Sequence, residues 1–556
     1  MYKNGNRHLV FRSRADCPAN IRCLHPLSCA RPPASRLVAT SAIFGLSRFP
    51  IPTDFLSWGV LRAVLFGIVP EGGAIWCQRE GCDLRGMSFA WAFVVLAFSA
   101  EAQARPALPG ERVCLFETRL SVSGVLLVPV DQPLGDGEPP AAGMPEREPA
   151  SVRVVEQPVR AEANLCFLEQ RQAASGGQVE AENPILRHYR KAEASLSVGE
   201  GEFTTRLPAD SGPVRVQLAG KTVQAWLANG FLTQAEHDLL TTPFDPLFLS
   251  ALVPQFDVGE GDQWAIDAAA VTGLLCIDTV ADGQMLVTVE RVTETGTTLS
   301  LMASIVGAVD GVSTEIELSG SYQLACAGAA PASVTQLEVV MRESRQPGPV
   351  GPGLAVEAAL RMACRLPAGE AEPAAAASER PHEEASRPAG QALARADRPR
   401  RGPGQPGCLW LADPYGRFDL IYPDRWKLIE LGAEEVVLRL VDLGALIGQV
   451  TIRPLPPNGS PLSLEILQQD IERSLAGQFS HLLAAAESHR SDGTKILRVA
   501  SAGEADGLPF RWIHYHLSGP NGQRASISFM VETKHEERFG DADQRLVEGL
   551  SMSAIE

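Results

Sequence analysis

The sequence predicts an α+β protein of two domains. The first is a mainly antiparallel β domain with a short helical insert, and in the second an antiparallel sheet carries two helices. Three observations support this fold class: 312–324 alternates apolar and polar residues, the segment from Ser463 has apolar residues at helical spacing, and 366–407 is rich in Pro, Ala and Gly. The last composition cannot bury enough apolar surface to offset chain entropy, so 366–407 is predicted to be a disordered linker.

An apolar block of 12 residues, 89–100, precedes Ala102-Gln103-Ala104, the small-residue pattern of a signal-peptide cleavage site. Twelve residues rise only ~18 Å as a helix, which is too short for a hydrocarbon core of ~30 Å. We therefore expect 87–104 to be a signal peptide and the exported protein to begin at Arg105, in the periplasm or outside the cell. The alternative is a short buried segment of a cytosolic domain.

Residues 1–86 differ in composition from the rest of the chain. They hold 11 Lys and Arg, 5 Asp and Glu, and 5 of the 11 cysteines, without sustained apolar periodicity. We expect this segment to be an upstream overcall of the translation start or a disordered leader.

Residues 105–556 carry 38 basic and 60 acidic side chains, a net charge of −22. Such acidity argues against nucleic acid or an anionic membrane surface as a partner, because both attract clustered Lys and Arg. No apolar run in 105–556 reaches the ~20 residues of a spanning helix, so no membrane span is expected there.

The first domain, 105–365, is predicted from short-period alternation. The residues of 312–324 that share one face include Ile316, Leu318 and Tyr322. Asp310-Gly311 predicts a tight turn to a partner strand at 299–306. The remaining strand candidates are 113–122, 152–159, 190–198, 334–342 and 354–362.

A helical insert interrupts these strands. Thr233 and Glu236 have the spacing of a capping box, and Asp245-Pro246 predicts the start of a second helix. The runs LLTTPFDPLFLSALVPQFDVGEGDQW and GAVDGVSTEIELSGSYQ resemble a group of uncharacterised exported bacterial β-rich proteins, over about 230–362. This resemblance implies no known activity.

The second domain, 408–556, opens with GRFDLIYPDRWKL, in which Tyr422, Pro423 and Trp426 form a Tyr-Pro-x-x-Trp pattern. An apolar stripe predicts a helix from Ser463 that includes Phe479 and Leu482. The other predicted elements are strands at 436–441, 447–455, 495–501, 510–517 and 524–532 and a helix around 541–550.

The order of these elements and the Tyr-Pro-x-x-Trp opening resemble the PsbP-like fold family, over about 416–552. Members of that family include the photosystem II extrinsic subunit and relatives that bind protein partners. The resemblance implies an α+β fold and a binding role, and it carries over no catalytic residues.

His514 and His516 are the best candidates for a metal site. On a strand they share a face, so both imidazoles could reach one metal ion. The third ligand would come from His481, His489 or Asp506. The simpler interpretation is two histidines on a half-exposed sheet face.

Three further candidates have simple alternatives. Carboxylates in a Gly-containing loop, Asp257, Glu260 and Asp262, suit calcium, although a solvated loop before Trp264 is the favoured interpretation. The basic stretch 188–191 suggests an anion site or a wet sheet face. Cys326 and Cys364 each end a predicted strand and are the first disulfide candidate.

The sequence lacks a G-x-S-x-G elbow, a phosphate-binding G-x-x-x-x-G-K-[ST] loop, a G-x-G-x-x-G turn and H-E-x-x-H. We therefore expect an exported envelope protein without a cofactor that binds another envelope protein or an apolar small ligand. One alternative is an extracytoplasmic metal-dependent or hydrolytic enzyme that uses His514 and His516. Another is a purely structural envelope component.

Overall fold

The computed structural model describes residues 112–130, 153–171, 184–325, 333–347, 352–365, 403–442, 445–457 and 462–553. The predicted leader 1–86, the signal peptide 87–104 and all of the predicted linker up to residue 402 lie outside the described residues.

The region 112–365 forms one antiparallel sheet of twelve strands. The strands are β1 (Arg112–Val130), β2 (Arg153–Arg171), β3 (Ile185–Val198), β4 (Gly201–Arg206), β5 (Val214–Ala219), β6 (Thr222–Leu227), β7 (Gln263–Ile266), β8 (Thr279–Thr293), β9 (Gly296–Val309), β10 (Val312–Ala325), β11 (Ser333–Arg345) and β12 (Gly353–Arg365). Their order is β6-β5-β3-β2-β1-β12-β11-β10-β9-β8-β7, with β4 paired to β3. The first strand in the sequence, β1, therefore lies next to the last strand of this sheet, β12.

Apolar–polar alternation gives this sheet one packed face and one wet face. Along β10, Ile316 and Leu318 are buried while Glu317 between them is exposed, as the sequence predicts. Asp310 and Gly311 have φ values of +47° and +75°, the left-handed conformation that a two-residue hairpin turn requires. The predicted β9–β10 hairpin is thus confirmed.

A helical insert packs against the buried face. It contains α1 (Gln234–Leu240), α2 (Ala268–Leu275) and a 3₁₀ turn (Leu249–Leu252). The predicted capping box is present, because the Thr233 hydroxyl accepts from the Glu236 N–H and the Glu236 carboxylate accepts from the Thr233 N–H. The second predicted helix is only the 3₁₀ turn.

The region 408–553 contains two further sheets. Strands β13 (Cys408–Ala412), β14 (Phe418–Pro423) and β22 (Leu550–Met552) form the smaller sheet. The larger sheet has the order β15-β16-β17-β21-β20-β19-β18, built from β15 (Trp426–Leu431), β16 (Val436–Asp442), β17 (Ala445–Leu455), β18 (Phe479–His489), β19 (Lys495–Ala505), β20 (Leu508–Ser518) and β21 (Arg524–Glu532). The helices are α3 (Leu464–Leu475), α4 (Glu536–Phe539) and α5 (Ala542–Glu548).

The predicted α+β class is wrong. Strands make up 63% and helices 14% of the described residues, so the chain is mainly β. One cause lies after α3, where Ala476 adopts a φ of +44° and ends the helix. Phe479 and Leu482, predicted as helical, lie in β18, where they are half-buried. None of the helices in the described ranges combines the length and apolarity that a membrane crossing requires.

The Tyr-Pro-x-x-Trp residues form part of the core of this second region. Tyr422 and Trp426 are fully buried. The Trp426 ring meets Phe529 and Phe539 edge-on, with ring centroids 6.1 and 6.4 Å away. Such edge-to-face contacts stabilise an aromatic core, so the motif marks packing rather than a site.

The two regions touch through α1 and β13. The Trp410 N–H donates to the Leu232 carbonyl at 2.8 Å, and the Leu428 N–H donates to Oε1 of Gln234 at 2.9 Å. The length of the predicted linker favours two domains that share no fixed interface, although it also allows a docked arrangement. The docked arrangement is the one observed.

Candidate functional site

The predicted histidine pair lies on one face of β20. His516 is buried, with 4% of its surface exposed, and His514 is half-buried. Nδ1 of His514 is 3.0 Å from the hydroxyl oxygen of Ser528 on β21. Nε2 of each histidine has no hydrogen-bond partner among the described residues. The two imidazoles therefore share one face of β20, with His516 buried and His514 half-buried.

Burial also controls the protonation of the pair. Desolvation lowers the pKa of His514 to about 4. It does the same for His516, where the positive charges of Arg524 and Lys495 add to the effect. Both imidazoles are therefore neutral at pH 7, the form that binds metal ions or accepts a proton.

The proposed third ligands lie elsewhere. His481, His489 and Asp506 are all exposed. The described ranges contain no group of three His, Cys, Asp or Glu side chains that could hold a metal ion. Two imidazoles leave a tetrahedral site incomplete, so the metal site stays a prediction without an identified third ligand.

Two of the three carboxylates in the 257–262 loop accept hydrogen bonds from backbone N–H groups. Oδ2 of Asp262 accepts from the Gly259 N–H at 2.7 Å, and Oε1 of Glu260 accepts from the Val292 N–H at 3.1 Å. Asp257 is exposed. These hydrogen bonds shape the turn before β7 and favour the solvated-loop interpretation over calcium.

The basic stretch 188–191 points its charges outward. Arg190 and Lys191 are exposed, and Nζ of Lys191 lies 2.7 Å from a carboxylate oxygen of Glu193. Sequence analysis missed the residue just before the stretch. Arg187 is turned into the core and is 1% exposed.

Arg187 is the centre of a buried ionic cluster. Nη1 and Nη2 of Arg187 each donate to one carboxylate oxygen of Asp245 at 2.7 Å, and Nε donates to Glu169 at 3.0 Å. Its guanidinium carbon lies 4.9 Å from the centroid of the Phe167 ring. The cluster thus fastens the helical insert, through Asp245, to strands β2 and β3.

The two acids keep this buried guanidinium charged. Desolvation by itself lowers the pKa of Arg187, but Asp245 and Glu169 outweigh it and raise that pKa well above its ordinary value. Burial raises the pKa of the neighbouring Tyr189 to about 12. An always-charged Arg and a neutral Tyr are suited to structure rather than to proton transfer at neutral pH.

A second buried network lies in the larger sheet of 408–553, on the face opposite the histidines. The Tyr515 hydroxyl donates to Oδ2 of Asp543 at 2.6 Å, and Nη2 of Arg498 donates to the same oxygen at 2.8 Å. Burial first, and then the Asp543 carboxylate, raises the pKa of Tyr515. The network attaches α5 to β19 and β20.

Only one of the two cysteines in the predicted disulfide, Cys364, lies among the described residues. Cys326 lies outside the described ranges, so its pairing with Cys364 stays a prediction. The Cys364 thiol is hydrogen-bonded to Cys114. That bond, followed by burial and by the Glu169 charge, raises the pKa of Cys364.

Strand β18 is the most exposed strand in the larger sheet of 408–553. It lies at the end of the sheet, and nine of its 11 residues are exposed. Leu483 is 46% exposed, and Ala484, Ala485 and Ala486 follow it. The strand contains no Lys, Arg or Pro. Sequence analysis missed this edge because the helical spacing of Phe479 and Leu482 concealed it.

No family model and no curated protein matches the chain. Among solved structures, the chain is similar to the cyanobacterial PsbP of Synechocystis sp. PCC 6803, with 13% identity and a TM-score of 0.22 over 26% of this chain and 92% of that one. A protein from Bacteroides thetaiotaomicron VPI-5482 is 12% identical, with a TM-score of 0.20 over 26% of this chain and 47% of the other.

The translocator domain of the autotransporter NalP from Neisseria meningitidis is similar over 75% of this chain and 86% of that one, with 6% identity and a TM-score of 0.10. The solved structures thus include a PsbP at the level of a distant similarity, and the PsbP-like fold of 416–552 stays a prediction. At these identities and TM-scores, none of the three similarities assigns a family or an activity to the chain.

Proposed function

We propose that this chain is an exported bacterial envelope protein that acts by binding another envelope protein, without catalysis. The observation that carries this proposal is the exposed strand β18 at the edge of the seven-stranded sheet. The partner contributes an extended segment that pairs with this edge.

An edge strand offers a row of backbone N–H and C=O groups for strand addition. Natural proteins usually protect such edges with Lys, Pro or β-bulges. Strand β18 has neither Lys nor Pro, and its two register irregularities lie before Ala484, so the pairing from Ala484 to His489 is regular. The small side chains of Ala484, Ala485 and Ala486 allow another strand to pair with this edge without a steric clash on either face of the sheet. Leu483 supplies an apolar contact beside them.

A protein partner suits the surface better than an apolar small ligand does. A surface cavity of about 450 Å³ is lined in part by Arg490, Asp492 and Glu548. Charged walls of this kind disfavour an apolar ligand, since small-molecule sites are mostly apolar.

Photo-crosslinking in the native cells tests the proposal. A photoreactive residue replaces Ala486 in the full chain, and in a control chain it replaces Met302, which is 65% exposed on the interior strand β9. We expect one defined crosslinked envelope protein from position 486 and none from 302. Adding Ala485→Lys, which protects the edge, should abolish the crosslink, whereas Met302→Lys should not.

Equal crosslinking from positions 486 and 302 would contradict the proposal, as would a crosslink that survives Ala485→Lys. A crosslink only to a second copy of the chain would also contradict it, because the proposed partner is a different protein.

Export has its own test. The intact mass of the protein from its own cells should match residues 105–556 if 87–104 is removed as a signal peptide. A mass that includes 1–86 would contradict export and would remove the envelope partner from consideration.

The alternative function is a metal-dependent or hydrolytic enzyme that uses His514 and His516. The shared face and the unpartnered Nε2 atoms of the two imidazoles favour it. Metal analysis of the full chain, purified with and without chelator, separates the two functions. Stoichiometric bound metal that is lost from a His514→Gln, His516→Gln variant would support the enzyme.

A further inference from the structure

The first and last strands of the twelve-stranded sheet each carry one cysteine at the same end. Strands β1 and β12 pair antiparallel with Phe116 opposite Cys364. Cys114 lies two residues before Phe116 and therefore on the same sheet face, as a diagonal neighbour of Cys364. The two thiols are hydrogen-bonded to each other.

The surroundings leave this pair open to a small oxidant. Both cysteines are half-buried, in contrast to the fully buried residues further along the same face. Glu169 is directly opposite Cys114 on β2, and Arg171 follows two residues later at the strand end. Both charged groups act on the Cys364 thiol, and they oppose each other.

We propose that Cys114 and Cys364 form an intramolecular disulfide that joins the first strand of the sheet to the last. The proposal is independent of the partner-binding function, since both cysteines lie in the twelve-stranded sheet of 112–365 and β18 lies in the region 408–553.

The oxidant is a small-molecule disulfide, R–S–S–R. The Cys114 thiolate attacks one of its sulfurs, so that a mixed disulfide forms and one R–S⁻ leaves. Cys364 then loses its proton and attacks the Cys114 sulfur, which closes the protein disulfide and releases a second R–S⁻. Two protein thiols are oxidised and one R–S–S–R is reduced to two R–SH. Cys364 is the second thiol in this order because its pKa is raised, by the hydrogen bond with Cys114 and by burial, so its thiolate forms less readily.

The register sets a small geometric requirement. Diagonal neighbours have Cα atoms about 7–8 Å apart, whereas a disulfide needs about 4.4–6.8 Å. The strands must therefore draw together by about 1 Å. Cys114 is the third residue of β1 and Cys364 is the last but one of β12, so the movement involves only strand ends.

Peptide mapping of the full chain tests the disulfide. The reduced protein is incubated with oxidised glutathione, alkylated and digested without reductant. We expect a linked peptide that contains Cys114 and Cys364, while Cys166 on β2 stays alkylated. Two alkylated or glutathionylated peptides would overturn the proposal, and so would a link from Cys364 to Cys326.

Thermal unfolding tests whether the disulfide stabilises the fold by joining β1 to β12. Reduction should lower the Tm of the oxidised wild type by at least about 5 °C, because the bond closes a very long loop. It should not change the Tm of Cys364→Ala, and Cys166→Ala should behave as the wild type does. Equal Tm values for oxidised and reduced wild type would overturn the joining role, and this comparison needs no variant.

Discussion

The guanidinium of Arg187 and the carboxylate of Asp245 form two parallel hydrogen bonds of 2.7 Å, with both side chains almost completely buried. Arg187→Ala would leave the buried Asp245 without its ionic partner, and Glu169 would keep only its ion pair with the partly exposed Arg171. We expect it to lower the free energy of unfolding by about 3–5 kcal/mol, measured by urea denaturation.

The matched control is Arg342→Ala. Arg342 pairs with Glu357 at 2.9 Å, but both side chains are more than half exposed. Its loss should cost under about 1 kcal/mol. Similar costs for the two variants would mean that Arg187 does not lie in a buried cluster.

Tyr515→Phe should also destabilise the chain. It removes the hydroxyl that donates to Asp543 and accepts from Arg498, so Asp543 loses a buried hydrogen bond and Arg498 loses a partly buried one. We expect a loss of about 1–3 kcal/mol in the free energy of unfolding. Tyr415→Phe, at a residue 54% exposed, should stay within about 0.5 kcal/mol of wild type. A neutral Tyr515→Phe would argue against the network.

Acid should weaken the fold through His514 and His516. Their folded pKa values of about 4 lie below the ~6.5 of the unfolded chain, so between these values only the unfolded state binds the protons. Stability therefore falls as pH decreases through this window. We expect a loss of about 2 kcal/mol for each histidine between pH 7.5 and 5, read from urea denaturation at each pH.

The variant His514→Gln, His516→Gln removes these two titrations. Its stability should decrease less steeply with acid than that of wild type, whereas His481→Gln, at an exposed position, should keep the wild-type slope. Identical slopes for the double variant and wild type would show that the two histidines are not buried as neutral groups.

Gly503→Ala tests the placement of β18 against β19. A Cβ at Gly503 would lie 1.8 Å from the carbonyl oxygen of Gln478, so the strand start has to shift. We expect a cost of about 1–3 kcal/mol in urea denaturation. Gly477→Ala is the control, because nothing lies within 4 Å of its added Cβ. If Gly503→Ala were tolerated as well as Gly477→Ala, β18 would not start where it does.

Local signals predicted local structure well. The alternation around Ile316 and the Asp310-Gly311 turn needed only neighbouring residues, and both were confirmed. The capping box at Thr233 was confirmed for the same reason. The helical spacing misled once, because Phe479 and Leu482 continue the period of α3 by chance after the chain has left the helix.

The buried cluster could not be predicted in this way. Arg187 meets Glu169 and Asp245, which are 18 and 58 residues distant in sequence, so no local pattern connects them. Charged residues are normally exposed, and only tertiary contacts identify one that is not. The approach of Cys114 to Cys364 is non-local too, because it depends on β1 and β12 being neighbours in the sheet.

The pairing of β1 with β12 also affects synthesis. Ten strands lie between them in the chain, so β1 has no partner on its β12 side until Gly353–Arg365 has been made. Contacts of such long sequence separation slow folding, and the open edge of a 19-residue strand invites wrong pairing in the meantime. Until β12 has been synthesised, the nascent chain therefore depends on whatever shields the open edge of β1.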